Sequence, residues 1–357
     1  THRGWRCSTA KAYLTPAVKR RPNLRIETEA MAGRLLFDGT RAAGVTYRQG
    51  GELKTAHCRG EVLLSAGSLQ SPQLLQLSGI GPRALLDRFG IPVQHELPGV
   101  GENLQDHLQI RLGYECSKPI TTNDQLNSWF GQMGMGLEWL LHRTGPLAVG
   151  INQGGCFMRA LKDDSGRPVA ATPDIQFHVA TLSADMAGGK VHPYSGFTMS
   201  VCQLRPESRG HVRIRSLDAA EPPEMQPNYL ATELDRATTV AGVKAARAIA
   251  EAPAMRPYVK REVKPGPEAA SDADLLEFCR NNGATIFHPT GTCRMGSDAL
   301  AVVDARLRVH GVAGLRVIDC SAMPTLVSGN TNAPAVMMAE KAVDLIREDA
   351  RAAAAAH

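Results

Sequence analysis

The spacing of apolar and polar residues divides this chain into segments with a helical period and segments that alternate. A period near 3.6 residues predicts an amphipathic helix, and strict alternation predicts a strand with one buried face. The pattern predicts helices over residues 8–14, 83–89, 129–141, 233–252, 271–281 and 335–346. It predicts strands over residues 23–28, 34–37, 43–47, 109–114, 155–158, 175–180, 196–204 and 211–216. We therefore expect an α+β fold, with a second, strand-rich domain at 116–282 inserted between 1–115 and 283–357.

Two short apolar runs, residues 61–65 and 315–318, predict buried strands. The first run leads into Ala66, Gly67 and Ser68, and a helix is predicted to start near Ser71-Pro72. A strand, a turn of small residues and a helix allow a backbone to approach a phosphate or a flavin. A tight turn without any ligand explains the same pattern equally well.

The second apolar run is followed by Asn330, Asn332 and Pro334, just before the last predicted helix. Pro334 suits the first turn of that helix, and either asparagine can cap it. The start of a helix carries partial positive charge, so this part of the chain suits an anionic ligand.

Composition limits the partners and the compartment. The 357 residues are 43% hydrophobic and carry a formal net charge of +5, which is mild for this length. We therefore expect a globular core and no nucleic-acid partner, and no apolar run is long enough for a membrane-spanning helix. The eight cysteines are dispersed without a CxxC pair, so we expect reduced thiols in the cytoplasm and no metal site. The chain begins without Met, and we expect its true N-terminus to be missing.

One of the eleven histidines stands out. Most lone histidines lie at the surface or in a satisfied core, but His288 begins HPTGTCRMG, a segment dense in Gly, Pro and Thr. An imidazole titrates near neutral pH and therefore suits proton transfer. A second motif, GIGPRA from Gly79, fits a GxGxxA dinucleotide fingerprint. Residues 73–77 before it predict helix rather than strand, so we reject that interpretation, and no other predicted strand leads into GxGxxG.

Three segments carry a resemblance to a known family. They are HPTGTCRMG with the following VVDARLRVHGVAGLRVIDCSAMPTLVSGNTNAPAVMMAEKAVDLI, AGSLQSPQLLQLSGIG from Ala66, and GVGENLQDH from Gly99. The chain resembles the glucose-methanol-choline (GMC) oxidoreductases, most of all their bacterial alcohol and choline dehydrogenase branch, and the resemblance is weakest between Ser117 and Gly196. It implies an FAD-binding α/β domain at 1–115 and 283–357, and a substrate domain with a mainly antiparallel sheet flanked by helices at 116–282. The family's N-terminal Rossmann segment would be lacking, so we expect this chain alone to bind FAD weakly or not at all.

The resemblance also implies site residues. His288 matches the family's active-site base, and Asn330 matches a second polar residue beside it, with a helix cap as the alternative role for Asn330. Positions that match the family's FAD contacts are Ala32, Ala66, Gly67, Ser68, Asp319, Cys320, Asn332, Ala333 and Pro334. Asp106 and His107 lie in a motif near the cofactor, where an ion pair or a loop lock is an equal alternative. Cys293 is expected to pack rather than to react.

The implied reaction is oxidation of a small-molecule alcohol to an aldehyde or ketone, with hydride transfer to flavin N5 and proton transfer to His288. Two alternatives stay open: a lyase on the same scaffold, and a truncated, non-catalytic chain that cannot hold FAD. The segment VSGNTNAP is more similar to the general alcohol branch, so a neutral alcohol is expected rather than choline. The sequence does not identify the electron acceptor.

Overall fold

The computed structural model describes residues 1–185 and 188–355. Within these residues the α-helices are α1 (Thr9–Tyr13), α2 (Pro16–Lys19), α3 (Gly67–Leu77), α4 (Arg83–Arg88), α5 (Thr122–Leu126), α6 (Trp129–His142), α7 (Glu233–Glu251), α8 (Asp272–Asn282) and α9 (Asn332–Ala355). The strands are β1 (Met31–Asp38), β2 (Arg41–Gln49), β3 (Glu52–His57), β4 (Val62–Leu64), β5 (Ile80–Gly81), β6 (His95–Glu96), β7 (Leu108–Cys116), β8 (Asn152–Met158), β9 (Ile175–Ala180), β10 (Gly196–Gln203), β11 (His211–Arg213), β12 (Glu224–Gln226), β13 (Val259–Lys264), β14 (Ala284–Thr285) and β15 (Leu315–Val317). Helices combined with mainly antiparallel sheets confirm the predicted α+β class.

The described residues form two compact units, each made of three chain segments. The first, which we call the sheet unit, contains Thr1–Glu27, Leu108–Leu204 and Glu233–Ala284. The second, which we call the histidine unit, contains Thr28–His107, Arg205–Thr232 and Thr285–His357. None of the helices in the described ranges combines the length and the apolar character needed to cross a bilayer.

These units differ from the predicted domain bounds in four segments. Residues 1–27, 108–115 and 283–284 belong to the sheet unit, and residues 205–232 belong to the histidine unit. Residues 108–115 follow the sheet because β7 pairs with β10 along its length. Residues 205–232 follow the histidine unit because the buried Gln76 amide of α3 donates to Val212 O (3.0 Å) and accepts from Ile214 N (2.9 Å).

The sheet unit is built on antiparallel strands in the order β13-β7-β10-β9-β8. Val201 of β10 lies opposite Ile110 of β7 and Phe177 of β9, and all three side chains are 2% exposed or less. Helix α7 packs against β10. A Cβ atom at Gly242 of α7 would lie 2.9 Å from Val201 Cγ2, so this glycine permits the close approach of helix and sheet.

The core of the histidine unit surrounds two parallel strands, β4 and β15. Leu64 and Val317 are partners in this pair, and both belong to the main apolar cluster of the unit. Leu35, from the antiparallel sheet β1-β2-β3, packs into the same cluster. The carboxyl ends of parallel strands meet at one edge. The turn at Ala66, which follows β4, therefore lies beside Asp319, which follows β15.

Helix α3 begins at Gly67, four residues before the predicted start near Ser71, and Pro72 lies inside it. Proline has no backbone N–H, so it leaves the carbonyl of the residue four positions earlier without its helical donor. That carbonyl belongs to Ser68, and the Thr292 hydroxyl donates to it at 2.6 Å. The prediction was wrong because Pro72 is tolerated within the helix once Thr292 replaces the missing donor.

Helix α9 begins at Asn332 rather than Ala335. Its first i to i−4 hydrogen bond runs from Ala335 N to Thr331 O (3.1 Å), which makes Thr331 the N-cap position. Thr331 lies between the two residues expected to cap this helix, Asn330 and Asn332. Residues 23–28 are also not a strand: they are mostly exposed and no strand pairs with them, so their alternation has no sheet to join.

The guanidinium of Arg316 anchors α9 to the core, and this side chain is 1% exposed. It donates to Glu61 from Nε (2.6 Å) and Nη2 (3.0 Å), and from Nη2 to Asp349 of α9 (2.7 Å). Its Nη1 donates to the carbonyl of Arg306 (2.8 Å). A buried charge is tolerated when it is paired and hydrogen-bonded, and each of the three nitrogens of the Arg316 guanidinium has a partner.

Candidate active site

Asp106 holds the backbone on which His288 lies. One carboxylate oxygen of Asp106 accepts the backbone N–H groups of His107 (2.9 Å) and His288 (3.0 Å). The other accepts the hydroxyls of Tyr229 and Thr285. Burial, together with the charge of Asp106, raises the pKa of Tyr229 well above its ordinary value, so Tyr229 stays protonated and donates. Between an ion pair and a loop lock, the contacts of Asp106 show the loop lock.

The buried rings of His107 and His288 meet through their Nδ1 atoms, which are 2.9 Å apart. The ring planes are inclined by 78°. When both rings are neutral, one Nδ1 must donate and the other must accept, so the tautomer of each histidine fixes that of the other. His107 therefore controls which nitrogen of His288 keeps a lone pair.

The side chain of Asn330 approaches the other nitrogen of the His288 ring. Its Nδ2 lies 3.4 Å from His288 Nε2, although the two residues are 42 positions apart in the sequence. A neutral His288 that accepts from this amide at Nε2 carries its proton on Nδ1 and donates it to His107 Nδ1. The two contacts are mutually consistent, and in this state Nε2 is the basic atom.

The turn before α3 is braced by Asp319. One oxygen of Asp319 accepts the Gly67 N–H (2.9 Å) and the Ser71 hydroxyl (2.6 Å), and the other accepts the N–H (2.8 Å) and hydroxyl of Ser321. Gly67 adopts φ = 86°, which glycine tolerates without strain. The carboxylate already offsets the partial positive charge of this helix end. The turn is thus better suited to an uncharged polar part of a cofactor than to a phosphate.

A cavity of about 380 Å³ opens beside this turn, within the histidine unit. Ala66, Gly67, Ser68 and Pro289, the residue after His288, are among the residues that line it. A Cβ atom at Gly67 would meet no other atom within 4 Å, so the space above the turn is open. The Ser68 hydroxyl is buried and has no hydrogen-bond partner in the described part of the chain. A buried hydroxyl left without a partner is costly, and a bound ligand can satisfy it.

The other predicted cofactor residues lie in three places. Cys320 follows Asp319 directly, and burial, reinforced by the charge of Asp319, raises the pKa of its thiol. Asn332, Ala333 and Pro334 form the first turn of α9, where Asn332 and Ala333 are exposed. Ala32 lies on β1, packed against the core cluster of the histidine unit. Cys293 belongs to that cluster and is fully buried. Burial raises the pKa of its thiol, so the thiol stays protonated and packs as an apolar group.

The sequence placed Asn330 beside His288 and Asp106-His107 near the cofactor, but it did not predict that Asp106, Tyr229 and Thr285 act together to hold the His288 loop. Their separations from their partners are large: 181 residues between His107 and His288, and 123 between Asp106 and Tyr229. The one local signal was the adjacency of an aspartate and a histidine at Asp106-His107, which did not reveal their partners. Neither Tyr229 nor Thr285 stood in a motif.

The sequence of this chain is similar to proteins of one family. Two family models, both described as GMC oxidoreductase, match residues 1–109 and 206–339. An oxygen-dependent choline dehydrogenase of Burkholderia lata is 46% identical over 347 residues, which are 97% of this chain and 60% of the relative. One from Burkholderia multivorans is 45% identical over the same shares. The chain thus spans about three fifths of the length of these relatives.

Solved structures of two oxidases have folds similar to that of this chain. Pyridoxine 4-oxidase from Mesorbium loti has a TM-score of 0.81 and 30% identity, covering 97% of this chain and 62% of that chain. A formate oxidase variant from Aspergillus oryzae, studied for its FAD modification, has a TM-score of 0.86 and 26% identity, covering 93% and 62%. The GMC oxidoreductases are FAD-dependent flavoproteins.

Proposed function

Because this chain belongs to the GMC oxidoreductase family, we propose that it carries the proton-transfer site of an enzyme that oxidises an alcohol to an aldehyde or ketone with FAD. One observation carries the proposal. His288 is held on both sides, by His107 at Nδ1 (2.9 Å) and by Asn330 near Nε2 (3.4 Å). A base whose tautomer and orientation are set in advance is what proton abstraction from a hydroxyl requires.

The residues around the α3 turn fit a flavin. The cavity there has an open glycine turn and an unpartnered Ser68 hydroxyl, and Asp319 has already taken up the charge of the helix end. We propose that Ala66, Gly67 and Ser68 contact the cofactor, with Cys320 and the Asp319 backbone behind them. For Ala32, Asn332, Ala333 and Pro334, the proposed FAD contact rests on the family resemblance.

When bound, FAD supplies the acceptor for the hydride that leaves the alcohol carbon. The residues of this chain handle the proton. His288 Nε2 takes it from the substrate hydroxyl, and the Asn330 amide donates a hydrogen bond to the same oxygen. The resulting imidazolium keeps its Nδ1–H bond to His107, which favours the charged ring. Asp106 keeps the two histidine backbones in place throughout.

The relatives make choline the first alcohol to test, although the likeness of VSGNTNAP favoured a neutral one. FAD-loaded protein that contains this chain should lose its flavin absorbance when mixed anaerobically with its alcohol. Deuterium on the hydroxyl-bearing carbon should slow that loss, because the C–H bond breaks in the same step. His288→Ala should slow it by about 10²–10⁴-fold while FAD stays bound.

Two results would contradict this proposal. If no alcohol bleaches the flavin, the enzyme is not an alcohol oxidoreductase. Turnover without any electron acceptor would instead identify the lyase alternative.

The cytoplasm is the proposed location, on the strength of eight dispersed cysteines without a CxxC pair.

A further inference from the structure

The sheet unit contains a cavity of its own, of about 560 Å³. Its floor includes Arg111 and Gly113 of β7 and Thr198 of β10, and the pairing of Thr198 with Gly113 places them side by side. Residues of β13 and α8, Lys264 and Phe278 among them, complete the lining. Small-molecule sites in proteins typically enclose about 300–1,000 Å³, so this cavity is large enough for a small organic ligand.

Two cations line the cavity without a counter-charge. Arg111 Nε donates to the neutral Gln109 amide (3.1 Å). Among residues 1–185 and 188–355, no carboxylate lies within ion-pair distance of Arg111 or Lys264. Burial lowers the pKa of the Arg111 guanidinium from its ordinary value, with no opposite charge to offset it. The guanidinium nevertheless stays charged, because arginine does not lose its proton in proteins.

Other groups around the cavity do not neutralise these cations. Asp185 also lines the cavity, but its side chain is 79% exposed and lies 3.4 Å from His192 Nε2. His192 Nδ1 contacts the Ser183 hydroxyl (2.8 Å) and the Tyr194 hydroxyl (3.0 Å). These contacts form a polar network on one side of the cavity, whereas Phe278 and Pro265 provide apolar surface. Unpaired cations next to an apolar wall suit an anion that carries a hydrophobic body.

We propose that this cavity binds a small organic carboxylate, with Arg111 and Lys264 holding the carboxylate and Phe278 contacting the apolar body. Guanidinium N–H groups match the two oxygens of a carboxylate in one plane. The ammonium of Lys264 adds a second positive charge. A cationic ligand is disfavoured, because it would meet both charges in a poorly screened space. Benzoate is a suitable probe, since it combines a carboxylate with an aromatic ring.

The test is calorimetric titration of this chain with benzoate, inorganic phosphate and benzylammonium, which carries a positive charge on a similar ring. Benzoate should bind saturably, phosphate more weakly and benzylammonium not at all. Arg111→Met removes the charge and keeps a long apolar side chain, so it should weaken benzoate binding by about tenfold or more. Lys264→Met should act in the same direction. Lys260→Met is the matched control, because Lys260 lies on the same strand, is 59% exposed and pairs with Glu115.

Gly113→Leu tests the cavity without changing any charge. A Cβ atom there would lie 3.8 Å from Lys264 Cβ and 4.0 Å from Ser183 Oγ, which are ordinary contacts. The remainder of the leucine would fill the cavity floor and should abolish benzoate binding, while thermal unfolding shows that the variant is folded. The proposal is overturned if benzoate does not bind up to about 10 mM. It is also overturned if folded Arg111→Met and Gly113→Leu bind benzoate as the parent does, or if phosphate binds more tightly than benzoate.

Discussion

His107 and His288 face each other through like atoms, with their Nδ1 atoms 2.9 Å apart. Such a pair has two arrangements of the shared proton, and only one leaves a lone pair on His288 Nε2. The Asn330 amide, 3.4 Å from Nε2, favours that arrangement if it donates. Under the proposed function, His107 is a positioning residue, because it acts through His288 by fixing which ring nitrogen carries the lone pair.

Replacing His107 by Phe should slow flavin reduction by about tenfold to a hundredfold, because His288 loses the partner that fixes its tautomer. His107→Gln keeps an amide oxygen that can accept from Nδ1, and should retain more activity. An unchanged rate of flavin reduction in the Phe variant would show that His107 only packs.

The sequence predicted where helices and strands lie more accurately than it predicted which distant residues contact them. The alternation of residues 34–37 and 43–47 predicted two strands, and these residues lie within β1 and β2. The turn that joins them, Gly39-Thr40, is local to the hairpin, and Gly39 adopts φ = 56° there. The start of α3 was missed because the hydroxyl that compensates for Pro72 comes from Thr292, which is 224 residues away from Ser68.

In the candidate site, too, the sequence identified single residues but not the contacts among them. His288 and Asn330 were identified through the family resemblance, and the structure brings them together. The contacts of Asp106 were not predictable, because its four donors come from four different positions along the chain. Nothing in the local pattern of Tyr229 or Thr285 distinguishes them from surface residues. Only the folded chain shows that one carboxylate gathers these groups.

Asp106→Ala should lower the free energy of unfolding by about 3 kcal/mol. The reason is that buried N–H and hydroxyl groups would lose their acceptor, and each unsatisfied group costs about 1–3 kcal/mol. Asp106→Asn should cost less, because its amide oxygen can still accept from both histidine N–H groups while the hydroxyls of Tyr229 and Thr285 rotate to accept from the amide nitrogen. Chemical denaturation of the two variants measures the difference. Equal stability of both variants would contradict the loop-lock role.

Arg316→Met should destabilise the histidine unit by about 3–5 kcal/mol at neutral pH, because it leaves two carboxylates beside an apolar core. A hydrogen bond from Arg316, with a further one from Arg306, holds the pKa of Asp349 below its ordinary value. A lowered folded-state pKa contributes stability above the unfolded value of about 3.9, and that contribution is lost as the pH falls through the folded value.

The difference in stability between the parent and Asp349→Asn should therefore be full at pH 6 to 7 and shrink below about pH 4. Denaturant titrations at several pH values measure it. Asp298→Asn offers a control: its partner Arg294 also lowers its pKa, to about 2. The Asp298 side chain is 57% exposed, so the effect of this change on stability should be small. If the difference in unfolding free energy between the parent and Asp349→Asn does not change with pH, the charge of Asp349 is not needed to hold Arg316 in place.

Asn330→Asp separates a role in the reaction from a role in the helix. Thr331 holds the N-cap position of α9, and a carboxylate one residue earlier interacts favourably with the start of the helix. The variant should therefore keep its thermal stability. Asp removes the amide donor and places a negative charge beside the oxygen that gives up its proton, and both changes oppose the reaction in a poorly screened site. We expect flavin reduction at saturating alcohol to slow by at least about tenfold, or roughly 1.4 kcal/mol of barrier. Asn330→His keeps an N–H donor and should retain more activity in the same stopped-flow measurement. If the Asp variant reduces flavin as fast as the parent, Asn330 does not contact the reacting oxygen, and its approach to His288 has no part in catalysis.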